Sequence, residues 1–264
     1  MTATVIDQKN GRLREAIGVV SRVGTRGPES ALVDAYITHR PEQDRRYLRT
    51  TVFREPRIAT GFPDLVIAHW RPTAFRGWRE ERAALRETDI RVLHFLYGVD
   101  GADIETLCRM VDPMADRLAH SLERLSLARL VRFQCGKWTP RRLHAVFGIK
   151  ELIAIEAKVH DWRAALEQAR ANQWFASRSY VLLPQSVVSD RVRDQAGAYG
   201  VGVIARSEEG NTMESLSAAR NAIPLSYASW LFNEWVGRSI AHLDEGGEAE
   251  WISPSGRSGT RSTA

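Results

Sequence analysis

Leu152-Ile153-Ala154-Ile155-Glu156-Ala157-Lys158 is the stretch on which the fold turns. It is short, apolar and rich in β-branched residues, then abruptly charged, the pattern of a strand buried on both faces of a sheet. Side chains alternate along a strand, so Glu156 and Lys158 are expected on one face. A buried carboxylate and ammonium are costly unless paired, hydrated or bound to a metal. The plainer alternative is an ion pair at a strand end. A second stretch, Gly61-Phe62-Pro63-Asp64-Leu65-Val66-Ile67, puts another carboxylate at the head of another apolar run, with Gly61 and Pro63 marking a bend. Read alone, Asp64 is a turn residue following proline.

The flanks supply an α/β setting. Beyond Lys158, Asp161 can cap a helix from Trp162 to about Ala176, with Trp162, Ala165, Leu166 and Ala169 on one face. Strands follow at Ser179–Pro184 and Gly200–Ala205, with a helix at Arg191–Tyr199 between them, the alternation of a parallel α/β sheet. Upstream, residues 1–10 look loose, Arg12–Val23 helical, and Pro28 opens a helix with Leu32, Val33, Tyr36 and Ile37 on one face. Pro41–Arg49 reads as a polar loop or short helix, and Thr50–Arg54 and Phe62–Trp70 as strands. Glu29, in the first turn of the Pro28 helix, suits the helix dipole. Ile223–Leu243 is aromatic helical material, read as packing.

Between the two charged stretches lies a different segment. Arg71–Arg86 is an arginine-rich connection. Three helical patterns follow, through Ile90–Leu96, Ile104–Met110 and Met114–Leu125, then strand patterns at Ala128–Cys135 and Lys137–Thr139 around Gly136. The net charge of the 264 residues is +5, and 71–150 carries 15 Lys/Arg against 10 Asp/Glu while the remainder is balanced. The excess therefore sits where phosphate contact would use it, though a basic solvated surface accounts for it equally simply. Two cysteines make neither a disulfide framework nor a zinc site, and no apolar run is long enough to span a membrane, so a cytoplasmic protein without a membrane partner is expected.

Pro63-Asp64, a long gap and Glu156-Ala157-Lys158 together resemble the active-site signature of the PD-(D/E)XK nuclease superfamily. The middle segment resembles a winged helix-turn-helix domain. These resemblances imply an α/β fold: a restriction-endonuclease-like core, its mixed central sheet flanked by helices, interrupted by a winged-helix insertion. Residues 1–75 and 148–243 would form the discontinuous core, 86–142 the insert, and 244–264 a Gly/Ser-rich disordered tail. They also imply a metal-dependent DNA endonuclease of restriction or phage-defence type. Asp64, Glu156 and the Ala157 carbonyl would hold Mg²⁺, with Mn²⁺ able to substitute. Lys158 would orient water, offset developing charge or act as a base. Glu29 would face the metal from the first helix, and Gln168 would hold a water or phosphate oxygen; a dipole-stabilised Glu29 and a solvated Gln168 are the plainer alternatives.

Arg117, His120, Ser121 and Arg124 would face duplex DNA from the third insert helix, with Arg129, Arg132, Lys137, Arg141 and Arg142 touching phosphates. Asp116 and Glu123 on that helix weigh against tight binding by it alone. Cutting both strands of a duplex would need two sites, hence a homodimer. Two rivals stand beside this reading. One is a DNA-binding transcriptional regulator with a catalytically inactive nuclease-like core. The other is a nuclease-like core whose insert binds a protein or a small regulatory ligand.

Overall fold

In a computed structural model, residues 3–7, 10–22, 27–39, 47–78, 80–244, 249–252 and 258–261 are described. The chain runs β1 (Ala3–Ile6), α1 (Gly11–Ile17), α2 (Pro28–His39), β2 (Arg49–Arg54), β3 (Leu65–Trp70), α3 (Glu80–Ala83), α4 (Glu87–Val99), α5 (Ile104–Met110), α6 (Ala115–Leu127), β4 (Val131–Gln134), β5 (Lys137–Pro140) and α7 (Leu143–Val146). It continues through β6 (Ile149–Ala157), α8 (Trp162–Ala171), β7 (Arg178–Pro184), α9 (Asp190–Ala198), β8 (Gly202–Arg206), β9 (Thr212–Leu216), α10 (Tyr227–Asp244), β10 (Ala249–Ile252) and β11 (Ser258–Arg261). The charged-ended strand is β6, and all of it except Lys150 is buried.

β6 lies in the middle of a mixed nine-stranded sheet ordered β11-β10-β1-β2-β3-β6-β7-β8-β9. β3 is antiparallel to both β2 and β6, whereas β6, β7 and β8 are mutually parallel. The parallel connections use α8 and α9, as parallel neighbours require a crossover. Both are capped as their sequences allow: Asp161 accepts the Ala164 N–H at 3.1 Å, and Ser189 accepts that of Val192 at 3.4 Å.

Helices cover both faces. Leu65 and Ile67 of β3 and Ile153 and Ile155 of β6 pack with Leu32, Val33, Tyr36 and Ile37 of α2. The alternate residues Val66, Ala68, Leu152 and Ala154 belong to a second core with α1 and α10. α8 and α9 cover β7 and β8 through Ala165, Leu166, Val192 and Ala196. α10 is buried nearly all round, which explains its density of aromatics. Phe232 lies 5.2 Å from Phe53, and Trp230 5.1 Å from Phe147, centroid to centroid.

The segment between β3 and β6 forms three helices followed by the β4–β5 hairpin, whose turn residues Cys135 and Gly136 both have positive φ. Ala102, between α4 and α5, adds a bridge to Trp138. This unit is not a free appendage. Leu93, Leu96, Leu118 and Leu122 share one continuous core with Phe53, Val66 and Phe232. Arg82 makes two bonds to Glu234 of α10, at 2.8 and 3.0 Å, and a third to the Val146 carbonyl at 2.6 Å. Asn233 accepts the Gly148 N–H at 2.8 Å.

Two expectations about the chain ends are corrected, and one edge strand is added. Residues 3–6, expected to be loose, are a strand parallel to β2. The tail expected to be disordered contributes β10 and β11, with β10 antiparallel to β1. β9, absent from the sequence reading, closes the opposite edge against β8. Each is a short segment beside a strand with unpaired backbone groups, so the ladder rather than local preference selects the conformation. Of the loop or short helix expected at 41–49, residues 41–46 lie outside the described residues.

Candidate active site

The β3–β6 register pairs Leu65 with Ile155, which sets Asp64, one residue ahead of β3, across from Glu156. Asp64 is steadied at both ends. Its Oδ2 accepts the Ala157 N–H at 2.7 Å, and its carbonyl accepts the Glu55 N–H at 3.1 Å. The bend before it is real: Ile58 and Gly61 exchange backbone bonds at 2.9 and 3.1 Å, with Gly61 at φ +133°. Such a φ is open to glycine and hard for a side chain.

Glu156 is 4% exposed and accepts the Asn172 Nδ2–H at 2.6 Å through Oε1. Its carboxyl also lies within hydrogen-bonding reach of Asp64. Burial, and then the Asp64 charge beside it, push Glu156 up to about 8. Burial raises Asp64 as well, against the Ala157 N–H and the attraction of Lys158. The pair therefore shares a proton near neutrality, because two buried carboxylates in contact resist joint ionisation.

Lys158 follows the last residue of β6 and donates its N–H to the Leu182 carbonyl at 3.2 Å. Its Nζ donates to Glu29 Oε2 at 3.1 Å, with the lysine side chain 22% and the glutamate 46% exposed. Glu29 stands in the first turn of α2, and that helix is tied to β2 by Arg54, whose Nη2 donates to Ser30 Oγ at 2.7 Å. Asp64, Glu156, Lys158 and Glu29 thus converge from β3, β6 and α2.

Gln168 does not join them. It lies exposed on α8, and the amide that reaches Glu156 belongs to Asn172, one helical turn further on. Nothing in the sequence marked Asn172, since an Asn at a helix end is ordinary. The half-buried Glu55, also unremarked in the sequence, adds a further acid near Asp64; burial raises its carboxyl against the pull of Arg54.

The insert departs from expectation at two positions. Ser121 is 4% exposed and Arg124 turns inward, donating to both oxygens of the fully buried Asp89 at 2.7 and 2.8 Å. Ser121 shares a helical face with Leu118, Leu122 and Leu125, and Arg124 reaches Asp89 from the flank of that face. Arg117 and His120 are exposed, as are Arg129, Arg132, Lys137, Arg141 and Arg142.

Comparison with family models, with curated proteins and with solved structures gives no match. The arrangement therefore has to be judged on its chemistry. Among the described residues no three His, Cys, Asp or Glu side chains converge into a group able to hold a metal ion, so an all-protein metal cage is not built here. Two adjacent carboxyls do suit a hard ion such as Mg²⁺, which takes one or two carboxylates and completes its shell with water and phosphate oxygens. The upward shift of both acids marks a place where positive charge would be welcome. Among the described residues no helix is long and apolar enough to cross a membrane.

Proposed function

We propose that the chain is a metal-dependent DNA endonuclease with a PD-(D/E)XK-like core and an inserted winged helix. The observation that carries this reading is the convergence of Asp64 and Glu156 with Lys158 beside them, from the ends of two strands far apart in sequence. The order α2, β2, β3, β6, α8, β7 supports it, because it resembles that superfamily's core. The three helices and hairpin, with the Ala102–Trp138 bridge, support the winged-helix half.

Asp64 and Glu156 would hold Mg²⁺, which when bound acidifies water and neutralises phosphate charge. Asn172 holds Glu156 Oε1, and the same carboxyl lies within hydrogen-bonding reach of Asp64. The Ala157 N–H holds Asp64 Oδ2 and so orients that carboxylate. Lys158 carries the positive charge that would meet the phosphate or hold the attacking water, and Glu29 keeps its ammonium in place until substrate competes for it. Cutting both strands would take two copies of the chain.

The test is incubation of plasmid and of single-stranded DNA with Mg²⁺ or EDTA, comparing the native chain with Asp64→Ala and Lys158→Ala. Metal-dependent cleavage abolished by both substitutions is expected. Undiminished cutting by Asp64→Ala overturns the site, and duplex binding with no cutting under any metal returns the reading to a DNA-binding regulator.

A further inference from the structure

A groove of about 980 Å³ runs between the 3-10 turn after β3 and the foot of the β4–β5 hairpin. Arg129, Arg132, Arg141 and Arg142, all exposed, line it beside the buried Arg82 and the partly buried Trp78. No Asp or Glu is among its lining residues. The Arg82 charge is already met by Glu234, and its guanidinium stacks 4.1 Å from the centre of the Trp78 ring. Among the described residues none of the other four arginines has a carboxylate partner. Arg129 also adopts φ +55°, a conformation that side-chain-bearing residues rarely hold. It lies two residues past the end of α6, and its N–H closes that helix on the Ser126 carbonyl at 2.9 Å.

The exposed side of α6 offers the opposite. Arg117 is bonded to Asp112 at 3.1 Å, His120 faces Glu123 at 3.8 Å, Asp116 adds a negative charge, and Arg124 is spent on Asp89. A helix with its cations so matched is a poor partner for a polyanion, whereas four unmatched guanidiniums in one concavity are a good one.

The geometry points to this arginine groove, and not α6, as the surface that grips nucleic acid, through its phosphodiester backbone. This rests on nucleic acid being the substrate, and it changes what the insert does. Backbone contacts position a strand without reading its sequence. The groove is walled on one side by the connection to the core, and the Arg82–Glu234 bonds fix that connection, so a gripped strand is held in a set relation to Asp64 and Glu156.

The experiment is fluorescence anisotropy of labelled single- and double-stranded oligonucleotides of unrelated sequences, in EDTA, across a salt series. The chain as it stands is compared with R129Q/R132Q/R141Q/R142Q, with the pair R129Q/R132Q, and with R117Q/H120Q, each checked for an unchanged melting temperature. The quadruple variant is expected to lose roughly tenfold or more in affinity for every sequence, and its logarithmic salt slope to flatten by about 0.9 per duplex phosphate contact removed, or about 0.7 on single strands. The pair should flatten it by about 2 on duplex, which keeps the test decisive if the quadruple variant does not fold. The double substitution on α6 should change neither. A preserved slope in the groove variants, a loss carried by R117Q/H120Q, or tighter binding of polyglutamate than of either oligonucleotide overturns the assignment. The two readings fail separately. Groove-dependent binding without metal-dependent cutting sinks only the nuclease, and cutting by a protein whose affinity ignores the four arginines sinks only the groove.

Discussion

Asp64 accepts a 2.7 Å hydrogen bond from the amide of Ala157, 93 residues further along the chain. The bond lies just beyond the last β3–β6 pair, Leu65 with Ile155, and belongs to the site rather than to the ladder. It fixes a carboxylate oxygen by backbone, so the acid pair depends on strand register. A one-residue slip would turn β6 over and carry Glu156 to the opposite face.

Asn172→Ala removes the amide that holds Glu156. The lost N–H favoured the ionised form, so Glu156 should titrate higher and the acid limb of any metal-dependent cleavage profile should move to higher pH. A buried acceptor is also left without its partner, which costs about 1–3 kcal/mol. A rate profile from pH 6 to 9, roughly centred on the raised Glu156, with thermal melting alongside, measures both effects; an unmoved acid limb would show that Glu156 does not govern the profile.

The metal-free protein should lose stability as pH rises. Burial, then Asp64, lifts the Glu156 carboxyl in the folded chain to about 8 from its ordinary value of 4.5. Between those values the folded state holds the proton and the unfolded chain does not, so stability is full below the lower value and is lost as pH passes through the upper. The drop is on the order of a few kcal/mol. In EDTA, denaturant midpoints should fall from about pH 5 to 8.5, and Glu156→Gln should flatten the curve.

Asp89→Asn should destabilise the helical insert by roughly 3 kcal/mol, the scale for breaking a buried ion pair by removing one partner. Asp89 is fully buried, and Arg124 bonds both of its oxygens. Burial pushes its carboxyl up, but Arg124, the Arg86 N–H and Ser121 outweigh that and hold it below the usual range. The pair's contribution is therefore present at neutral pH and is lost as pH falls through the depressed value. Urea unfolding at pH 7 and at pH 3 should show a smaller gap between the variant and its parent at the lower pH.

Gly237→Ala should cost about 1–3 kcal/mol through overpacking. A Cβ there would sit 2.1 Å from the Trp78 ring, which is itself stacked against Arg82. Calorimetric melting should show the loss, and Trp78→Leu in the same chain should recover part of it.

What the sequence made legible follows from where its information lies. β6 and the carboxylates at its end and before β3 could be read because charge inside an apolar run is locally expensive, whatever surrounds it. The helix cap at Asp161 is equally local, and it accepts the Ala164 amide. Arg124 escaped because its partner lies 35 residues away on another helix, although Ser121 could have been placed by its position beside Leu118 and Leu122 on one helical face. Asn172 and the edge strands β1, β9 and β10 carry no local signature; their roles come from neighbours that only the folded chain supplies.

The bonds from Arg82 to Glu234 span 152 residues and end on α10. Among the described helices α10 comes last in chain order, yet it is the wedge against which α1, α3 and α4 all rest. Until it emerges, the apolar undersides of both the sheet and the helical insert lack their common cover. A chain growing from its N-terminus therefore carries that uncovered apolar surface until α10 follows, the condition under which chaperones act.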